Sequence, residues 1–328
     1  MMIKHSNLTQ SSRKGRRLKT LFVGLLVILI ILSILPYAIP LSKSEPQVSP
    51  YENSYFYQTD DTTMHYRLYL PEQEHPLGNI IMVHGLGGSS FSYEKNAPYL
   101  ASLGYRVITL DLPGFGYSSR NTDENHAQEH RAELIWQCLD DIDASATWHL
   151  MGHSMGGGTV AAMAYQNPDK TDSLVLIDGA LFNGARGSSW LATIPMVNRW
   201  IQVALEHIFI KESRIDSFLA SAYGQEATED QVQGYLLPLQ VKGTARAATS
   251  FLKTSRNLSE DELSKIKVPV LAIWGEDDTW VPLSEAMRIK VLMPQMEIVS
   301  IDGAGHCPME THAEIFNDTL RQWLIKKN

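Results

Sequence analysis

A single serine in a glycine-flanked turn is the residue whose setting most clearly predicts chemistry. Ser154 lies at the centre of the sequence GHSMG, residues 152–156, between the apolar run 149–151 and the small-residue run 157–162. An apolar strand that meets a helix through so sharp a turn needs glycine on both sides of the serine, and it holds the hydroxyl in the open. The hydroxyl is therefore a candidate nucleophile. The amide of Met155, at the helix start, is a candidate donor to an oxyanion.

A nucleophilic serine needs partners, and two later segments supply candidates. A serine hydroxyl at neutral pH is a poor nucleophile and needs a base within about 2.6–3.2 Å to remove its proton. Residues 303–306 end in His306, and residues 275–278 contain Asp277 and Asp278. Histidine titrates in the required range, and a carboxylate on its other ring nitrogen fixes its tautomer. The order serine, aspartate, histidine, each after a predicted strand, indicates a catalytic triad. A structural turn with an exposed serine is the alternative.

A second glycine-rich loop, residues 84–88, follows an earlier apolar strand. Its glycines allow backbone amides to converge on one point, so the amide of Leu86, or alternatively that of Gly87, is the candidate second oxyanion donor opposite Met155. We expect the ring of His84 to brace this loop through hydrogen bonds. Asp111 also follows a strand, but it precedes Ser154 in the chain and is interpreted as a turn residue.

The predicted elements bring these segments to one edge of a sheet. Strand-like runs alternate with helical runs, a rhythm typical of a mainly parallel sheet with right-handed crossovers. Ligands bind beside the carboxyl ends of the strands in such folds. The predicted strands cover residues 55–58, 64–70, 79–83, 105–110, 149–151, 173–177, 268–274 and 296–301. Helices are predicted around residues 93–102, 129–141 and 315–325.

The alternation stops between residues 182 and 262, where the pattern is helical. Residues 190–209 have amphipathic spacing, and residues 228–231 and 259–262 have the sequence of capping boxes, which start helices. We interpret residues 182–262 as a helical lid over the carboxyl edge of the sheet. A purely structural insertion is the alternative.

The N-terminus predicts a membrane segment. Residues 1–20 carry six Lys or Arg and no acid, and residues 21–41 are almost entirely apolar. A span needs roughly 20 apolar residues, and a cleaved signal sequence needs fewer. We expect a single-pass signal-anchor with a cytoplasmic basic end, a tether over residues 42–50 and an extracytoplasmic body. A secreted or periplasmic protein released by signal cleavage is the alternative.

Charge and cysteine content exclude several classes of partner. Without the six N-terminal cations, 22 Lys and Arg stand against 36 Asp and Glu, so the body has a net charge of −14. So acidic a body argues against nucleic acid or an anionic lipid surface as the main partner. Cys138 and Cys307 form neither a disulfide framework nor a metal cluster, and no cofactor or metal is predicted.

From about Tyr55 to the C-terminus, the chain resembles the α/β-hydrolase superfamily. The resemblance lies in the loop 84–88, the serine turn 152–156, the acidic loop 275–278 and the histidine loop 303–306. It implies an α/β fold with a mostly parallel eight-stranded sheet flanked by helices. The core would comprise residues 51–181 and 263–328, with the lid as an insertion.

The resemblance also assigns the acid. In this family the acid lies three residues after the loop glycine, which implies Asp278 rather than its neighbour Asp277. Some relatives use instead the position that Asp178 occupies.

Function follows from the branch of the superfamily that the chain resembles. A serine nucleophile disfavours the haloalkane dehalogenases and epoxide hydrolases, which use aspartate, and loop 84–88 lacks the His-Gly-Gly-Gly form of one lipase–esterase branch. A membrane-tethered body with a lid is similar to monoacylglycerol lipases and carboxylesterases. The resemblance implies that Ser154 attacks the carbonyl of a small-molecule ester or lipid. Amides of Leu86 and Met155 then hold the oxyanion, and His306 protonates the leaving alcohol.

Other activities use the same triad. Among enzymes, the alternatives are cleavage of a C–C bond, cleavage of an amide, or perhydrolysis, which forms a peroxide product. Outside catalysis, the alternative is a non-catalytic ligand-binding protein. Cys307 is a remote candidate nucleophile because it lacks a comparable turn.

Overall fold

The computed structural model describes residues 6–41, 51–59, 61–121, 124–182 and 189–327. Its centre is an eight-stranded sheet, and all eight predicted strands are confirmed with shifts of a few residues at their ends. The strands are β1 (Ser54–Gln58), β2 (Thr63–Tyr69), β3 (Asn79–Val83), β4 (Arg106–Leu110), β5 (Trp148–His153), β6 (Thr171–Ile177), β7 (Val270–Gly275) and β8 (Glu297–Ile301).

The sheet is mixed, with one strand running against the others. Its order is β1-β2-β4-β3-β5-β6-β7-β8. Strand β2 is antiparallel to both neighbours, and every pair from β4 to β8 is parallel. The short turn between β1 and β2 permits only an antiparallel pair, whereas the helical crossovers between later strands give parallel ones. The carboxyl ends of β3, β5, β6, β7 and β8 therefore lie at one edge, where the predicted site residues are.

Helices cover both faces of the sheet. All six residues of β5 and of β7 are buried, as expected of strands packed on both sides. The flanking helices are α2 (Ala97–Ser102), α3 (Gln128–Asp143), α4 (Met155–Gln166), α10 (Leu283–Leu292), α11 (Pro308–Thr311) and α12 (Ala313–Lys327). One apolar cluster contains residues of α3, α4 and α10, and the other contains residues of α2 and α12.

The segment between β6 and β7 is helical as predicted, but residues 190–209 do not form one continuous helix. Pro195 begins a new helix, because proline fits the first helical turn and forces the preceding Ile194 into an extended conformation. The predicted capping boxes at Thr228 and Ser259 are confirmed. The segment contains a 3₁₀ turn (Ser189–Thr193), α5 (Pro195–Ala204), a π-helical turn (Leu205–Phe209), α6 (Glu212–Tyr223), α7 (Glu229–Leu239), α8 (Thr244–Thr254) and α9 (Glu260–Ser264).

A long helix, α1 (Ser6–Ala38), lies at the N-terminus. Its section Leu18–Ala38 is long and apolar enough to cross a membrane, and in the described part of the chain it is the one helix that is. A signal sequence near the N-terminus can meet the same criteria of length and composition. The predicted tether, residues 42–50, lies outside the described residues.

Candidate active site

The serine turn has the geometry that its sequence predicts. Ser154 joins β5 to α4 with φ 50° and ψ −118°, a conformation that costs energy for a residue with a side chain. The flanking glycines allow the close approach that the turn requires. A Cβ on Gly152 would lie 2.3 Å from the carbonyl oxygen of Gly156, and a Cβ on Gly156 would lie 2.3 Å from that of Val83.

Hydrogen bonds hold the backbone of Ser154 in place, and its hydroxyl is not used to cap the helix. The amide of Ser154 donates to Ile177 at 2.9 Å, and its carbonyl accepts from the amides of Gly157 and Ala180, each at 2.9 Å. The hydroxyl makes no capping hydrogen bond to α4. Met155 is the first residue of α4, so its amide has no acceptor within the helix and carries the positive end of the helix dipole.

His306 and Asp278 form a buried pair at the ends of β8 and β7. His306 Nδ1 lies 2.7 Å from Asp278 Oδ2, and both residues are 4% exposed. The other carboxylate oxygen accepts from the amides of Trp280 at 2.7 Å and Val281 at 3.0 Å. Burial opposes ionisation, but the hydrogen bond and the charge of His306 outweigh it and lower the pKa of Asp278. A carboxylate held this way orients the imidazole and leaves Nε2 for a second partner.

The other two candidate acids occupy different places. Asp277 is exposed, so it does not share the buried position of Asp278 beside His306. Asp178 is fully buried, and its Oδ1 accepts from the amide of Gly275 at 2.9 Å. Burial, followed by the charge of Asp278, raises the pKa of Asp178 well above its usual range. Burial thus favours the neutral form of Asp178, whereas Asp278 favours its charged form.

These groups are also the ones that could ligate a metal. Donor atoms of Asp178, Asp278 and His306 lie within 4.8 Å of one another. Nδ1 of His306 is already hydrogen-bonded to Asp278, however, and Asp178 favours its neutral form. A neutral carboxyl and an occupied imidazole nitrogen are poor ligands, so the donor set fits a hydrogen-bonded cluster better than an ion.

The loop after β3 runs directly against the serine turn. A Cβ on Gly85 would lie 3.1 Å from Ser154 Cβ, so the backbone leading to Leu86 passes beside the serine. The expectation that His84 braces the loop is confirmed. Its Nδ1 donates to the Gly85 carbonyl at 2.7 Å, and its Nε2 accepts from the amide of Leu112 at 3.0 Å.

Three further residues have environments that remove them from the chemistry. Burial, with a smaller effect from His306, lowers the pKa of His153 to about 3, and its Nε2 donates to the carbonyl of His306 at 2.7 Å. Asp111 is a buried acceptor for the amide of Tyr117 at 2.8 Å, as its interpretation as a turn residue requires. Burial raises the pKa of the Cys307 thiol, which disfavours its thiolate form.

A cavity of about 180 Å³ is lined by three of the five predicted site residues. Its lining includes Ser154, His306 and Leu86, with mostly apolar side chains around them. A second cavity of about 560 Å³ lies next to it, and the two share Leu86, Phe218 and Tyr235. Elements from 182–262 therefore contribute to the walls around the serine.

Sequence reasoning missed several residues of this site. The ring of Trp280 stacks on His306 with centroids 5.4 Å apart, and Phe218 packs edge-on against Trp280. Trp280 follows Asp278 by two residues, so its position in the acidic loop was a usable signal. Phe218 and Tyr235 carry no such signal, because helices that no motif marks bring them to the cavity.

The eight-stranded sheet and the serine turn at its carboxyl edge define an α/β hydrolase. Residues 78–313 match the family model of the alpha/beta hydrolase fold, and the chain belongs to this family.

Individual relatives differ in what their names state. A 2-hydroxy-6-oxononadienedioate/2-hydroxy-6-oxononatrienedioate hydrolase of Paraburkholderia xenovorans is 31% identical over 262 residues, 75% of this chain and 86% of the relative. The uncharacterised hydrolase YugF of Bacillus subtilis is 28% identical over 75% of this chain and 89% of its own. Among solved structures, a bacterial membrane phospholipase A has a TM-score of 0.67 at 23% identity, covering 95% of this chain and 99% of that one.

Proposed function

We propose that this hydrolase cleaves a carboxylic ester through an acyl-enzyme on Ser154. The observation that carries the proposal is the shared cavity. A serine in a strained strand-to-helix turn and a histidine hydrogen-bonded to a buried carboxylate line the same space. These are the nucleophile, the base and the orienting acid of acyl transfer.

The reaction follows from the positions of these groups. His306 Nε2 removes the proton of Ser154 as the hydroxyl attacks the ester carbonyl, and the amides of Leu86 and Met155 donate to the oxyanion that forms. His306 then protonates the leaving alcohol as the C–O bond breaks. Water, deprotonated by His306, attacks the acyl-enzyme, and the acid and free Ser154 are released. Asp278 holds the imidazole in the required tautomer throughout.

The cavity favours an uncharged acyl group. Among the described residues that line the Ser154 cavity, none is Lys or Arg, and His153 stays neutral. A dicarboxylate substrate needs cations to replace its hydration, since an unpaired buried charge is expensive. C–C hydrolysis is the second candidate, because the Paraburkholderia relative bears the name of a dienedioate hydrolase.

The lid and the membrane placement are part of the proposal. Side chains of α6 and α7 line the Ser154 cavity, which supports residues 182–262 as a lid. The apolar helix and its basic end support an anchored protein with a cytoplasmic N-terminus and an extracytoplasmic body. The acidic body supports a role without nucleic acid.

A fluorophosphonate probe and two substrates test the proposal. We expect the probe to label the full chain and Ser154→Ala to abolish labelling. We expect hydrolysis of 4-nitrophenyl butyrate to disappear in the same variant. An unlabelled wild type contradicts the proposal and indicates a binding protein. Turnover of a 2-hydroxy-6-oxo dienoate with inert esters indicates the C–C reaction instead.

A further inference from the structure

Pro36 in the last part of α1 and Pro40 just beyond its end leave backbone carbonyls without helical partners. A helical carbonyl accepts from the amide four residues later, and proline has no amide hydrogen. Pro36 therefore removes the donor for Leu32, and Pro40 removes the donor for Pro36. Such carbonyls are costly in an apolar setting unless another group donates to them.

Side chains of α5 and the π-helical turn donate to these carbonyls. We call this set of four hydrogen bonds the anchor–lid contact. It joins Trp200 Nε1 to the Leu32 carbonyl at 2.9 Å, Arg199 Nε to Pro36 at 2.9 Å, Arg199 Nη2 to Ile39 at 2.7 Å and His207 Nε2 to Pro40 at 2.8 Å. The carbonyls of Leu32 and Pro36, which lack a helical donor because of the prolines, both accept a hydrogen bond from α5. The side chains of α5 therefore replace the donors that the prolines remove.

The same segment lines the larger cavity with its other side chains. Ile201, Leu205 and Phe209 contribute to the 560 Å³ cavity, opposite Phe251 and Leu252 of α8. This lining is largely apolar, and it continues to the Ser154 cavity through shared residues. One short segment thus contacts the apolar helix and walls the space beside the serine.

The surroundings of the segment are also apolar and open. Ile208 and Phe209 are 50% and 55% exposed, and the side chains of Leu21 to Leu35 in α1 are exposed along the helix. Exposed apolar surface of this extent is typical of contact with a lipid bilayer. Ile208 and Phe209 follow His207, whose ring bonds the Pro40 carbonyl just beyond the proposed span.

We propose that the anchor–lid contact holds the larger cavity at the membrane surface, so that the acyl chain of a bilayer lipid enters it beneath α5 and reaches Ser154. The substrate class is a long-chain lipid ester. The inference rests on the proposed ester hydrolysis for its chemistry, but the binding of the acyl chain can be tested without it.

The activity test uses the full chain in phosphatidylcholine vesicles with two esters. Trp200→Phe keeps an aromatic side chain but removes the indole N–H that donates to the Leu32 carbonyl. Pro36→Ala restores a backbone N–H that can donate to the same carbonyl within the helix, and so displaces Trp200. We expect each to lower kcat/KM for vesicle-borne 4-nitrophenyl palmitate about tenfold, because the Leu32 carbonyl or the Trp200 donor loses its partner beside the proposed span. Hydrolysis of dissolved 4-nitrophenyl butyrate should stay within about twofold. Arg199→Ala removes two of the four hydrogen bonds and should have the same effect. Arg246→Ala, on an exposed arginine of α8, is its control.

The binding test separates this inference from the proposed function. The Ser154→Ala chain should bind cis-parinaric acid, a fluorescent long-chain acid, and adding Trp200→Phe or Arg199→Ala should weaken binding about tenfold. Unchanged binding and unchanged palmitate hydrolysis in all variants would overturn the inference. Equal loss with both esters would also overturn it, because the contact would then serve folding alone. If neither ester is cleaved but the variants weaken the binding of cis-parinaric acid, the proposed ester hydrolysis is wrong and the lipid-binding site is supported.

Discussion

Asp178 and Asp278 show how two identical side chains acquire different roles a few ångströms apart. Asp278 has a hydrogen-bond donor in His306 and two backbone amides, so its charge is compensated. Asp178 has one backbone donor, and within the described residues its Oδ2 accepts no hydrogen bond. A charged Asp178 would leave this buried oxygen without a donor. The neutral form avoids that cost, because its O–H can donate to the carboxylate of Asp278.

Substitution with asparagine should separate the two acids. Asp278→Asn should lower kcat about 10³–10⁴-fold, since the amide cannot hold the tautomer of His306 that Ser154 needs. Asp178→Asn should retain activity within about threefold, because asparagine can accept from Gly275 and donate to Asp278 as the neutral acid does. The measurement is kcat for 4-nitrophenyl butyrate. The opposite ranking would make Asp178 the working acid.

The sequence predicts some of these residues and not others for a physical reason. Ser154, Asp278 and His306 sit in short segments with glycine at strand ends, a local pattern that a single chain displays. The neutrality of Asp178 and the low pKa of His153 depend on burial by distant residues. No local pattern encodes that burial.

At the scale of elements, a buried carboxyl joins two helices of the proposed lid to the core. Glu310 of α11 accepts from the hydroxyls of Tyr223 in α6 at 2.6 Å and Tyr235 in α7 at 2.5 Å. Burial raises the pKa of Glu310 from 4.5 to about 7, although both tyrosines oppose the shift. Protons therefore bind Glu310 more tightly in the folded chain than in the unfolded chain.

The pH dependence of stability should reveal this group. Its contribution is complete below about pH 4.5 and is lost as the pH rises through about 7, because the unfolded chain then releases the proton more easily. The loss amounts to about 3 kcal/mol for the full shift. In thermal melts from pH 5 to pH 8, Glu310→Gln should abolish most of the decline. Glu314→Gln, an exposed acid on α12, should not. Parallel curves for wild type and Glu310→Gln would contradict the assignment.

The junction of β3, β5 and α4 gives a second prediction. A Cβ at Gly156 would lie 2.3 Å from the Val83 carbonyl, which can move only with its strand. Gly156→Ala should therefore cost about 3 kcal/mol or more and abolish activity. Gly78→Ala is the matched control, since its nearest neighbour would lie 3.4 Å away. A thermal melt of both variants decides, and equal melting temperatures would count against the close packing.

Hydrophobic spacing does not fix where the helices begin and end. The helical pattern of residues 190–209 is confirmed, but Pro195 begins a new helix within it and a π-helical turn follows that helix. The four hydrogen bonds of the anchor–lid contact could not be predicted from the sequence either, because their acceptors are backbone carbonyls more than 150 residues away from the donors. The strands were predictable because buried parallel strands form continuous apolar runs.

At the scale of the whole molecule, charge is divided sharply along the chain. Six cations and no acid precede the apolar segment, and the body after it has a net charge of −14. Basic residues beside a span stay on the cytoplasmic side, and this bias sets orientation. The proposed location of the active site outside the cytoplasm therefore depends on a cluster far from Ser154 in sequence.

Labelling of an introduced cysteine should test this orientation. Glu72 is exposed and lies in the body, whereas Cys138 and Cys307 are buried and should resist the reagent. In intact cells, a membrane-impermeant maleimide should label Glu72→Cys in the full chain.

A second variant tests the orientation signal. It carries Glu72→Cys and also replaces five cations by glutamine: Arg13, Lys14, Arg16, Arg17 and Lys19. Labelling of this chain in intact cells should fall severalfold and return after lysis, because the orientation signal is lost. Labelling of the first chain only after lysis would place the body in the cytoplasm. Then the lipid that reaches Ser154 would have to come from the inner leaflet.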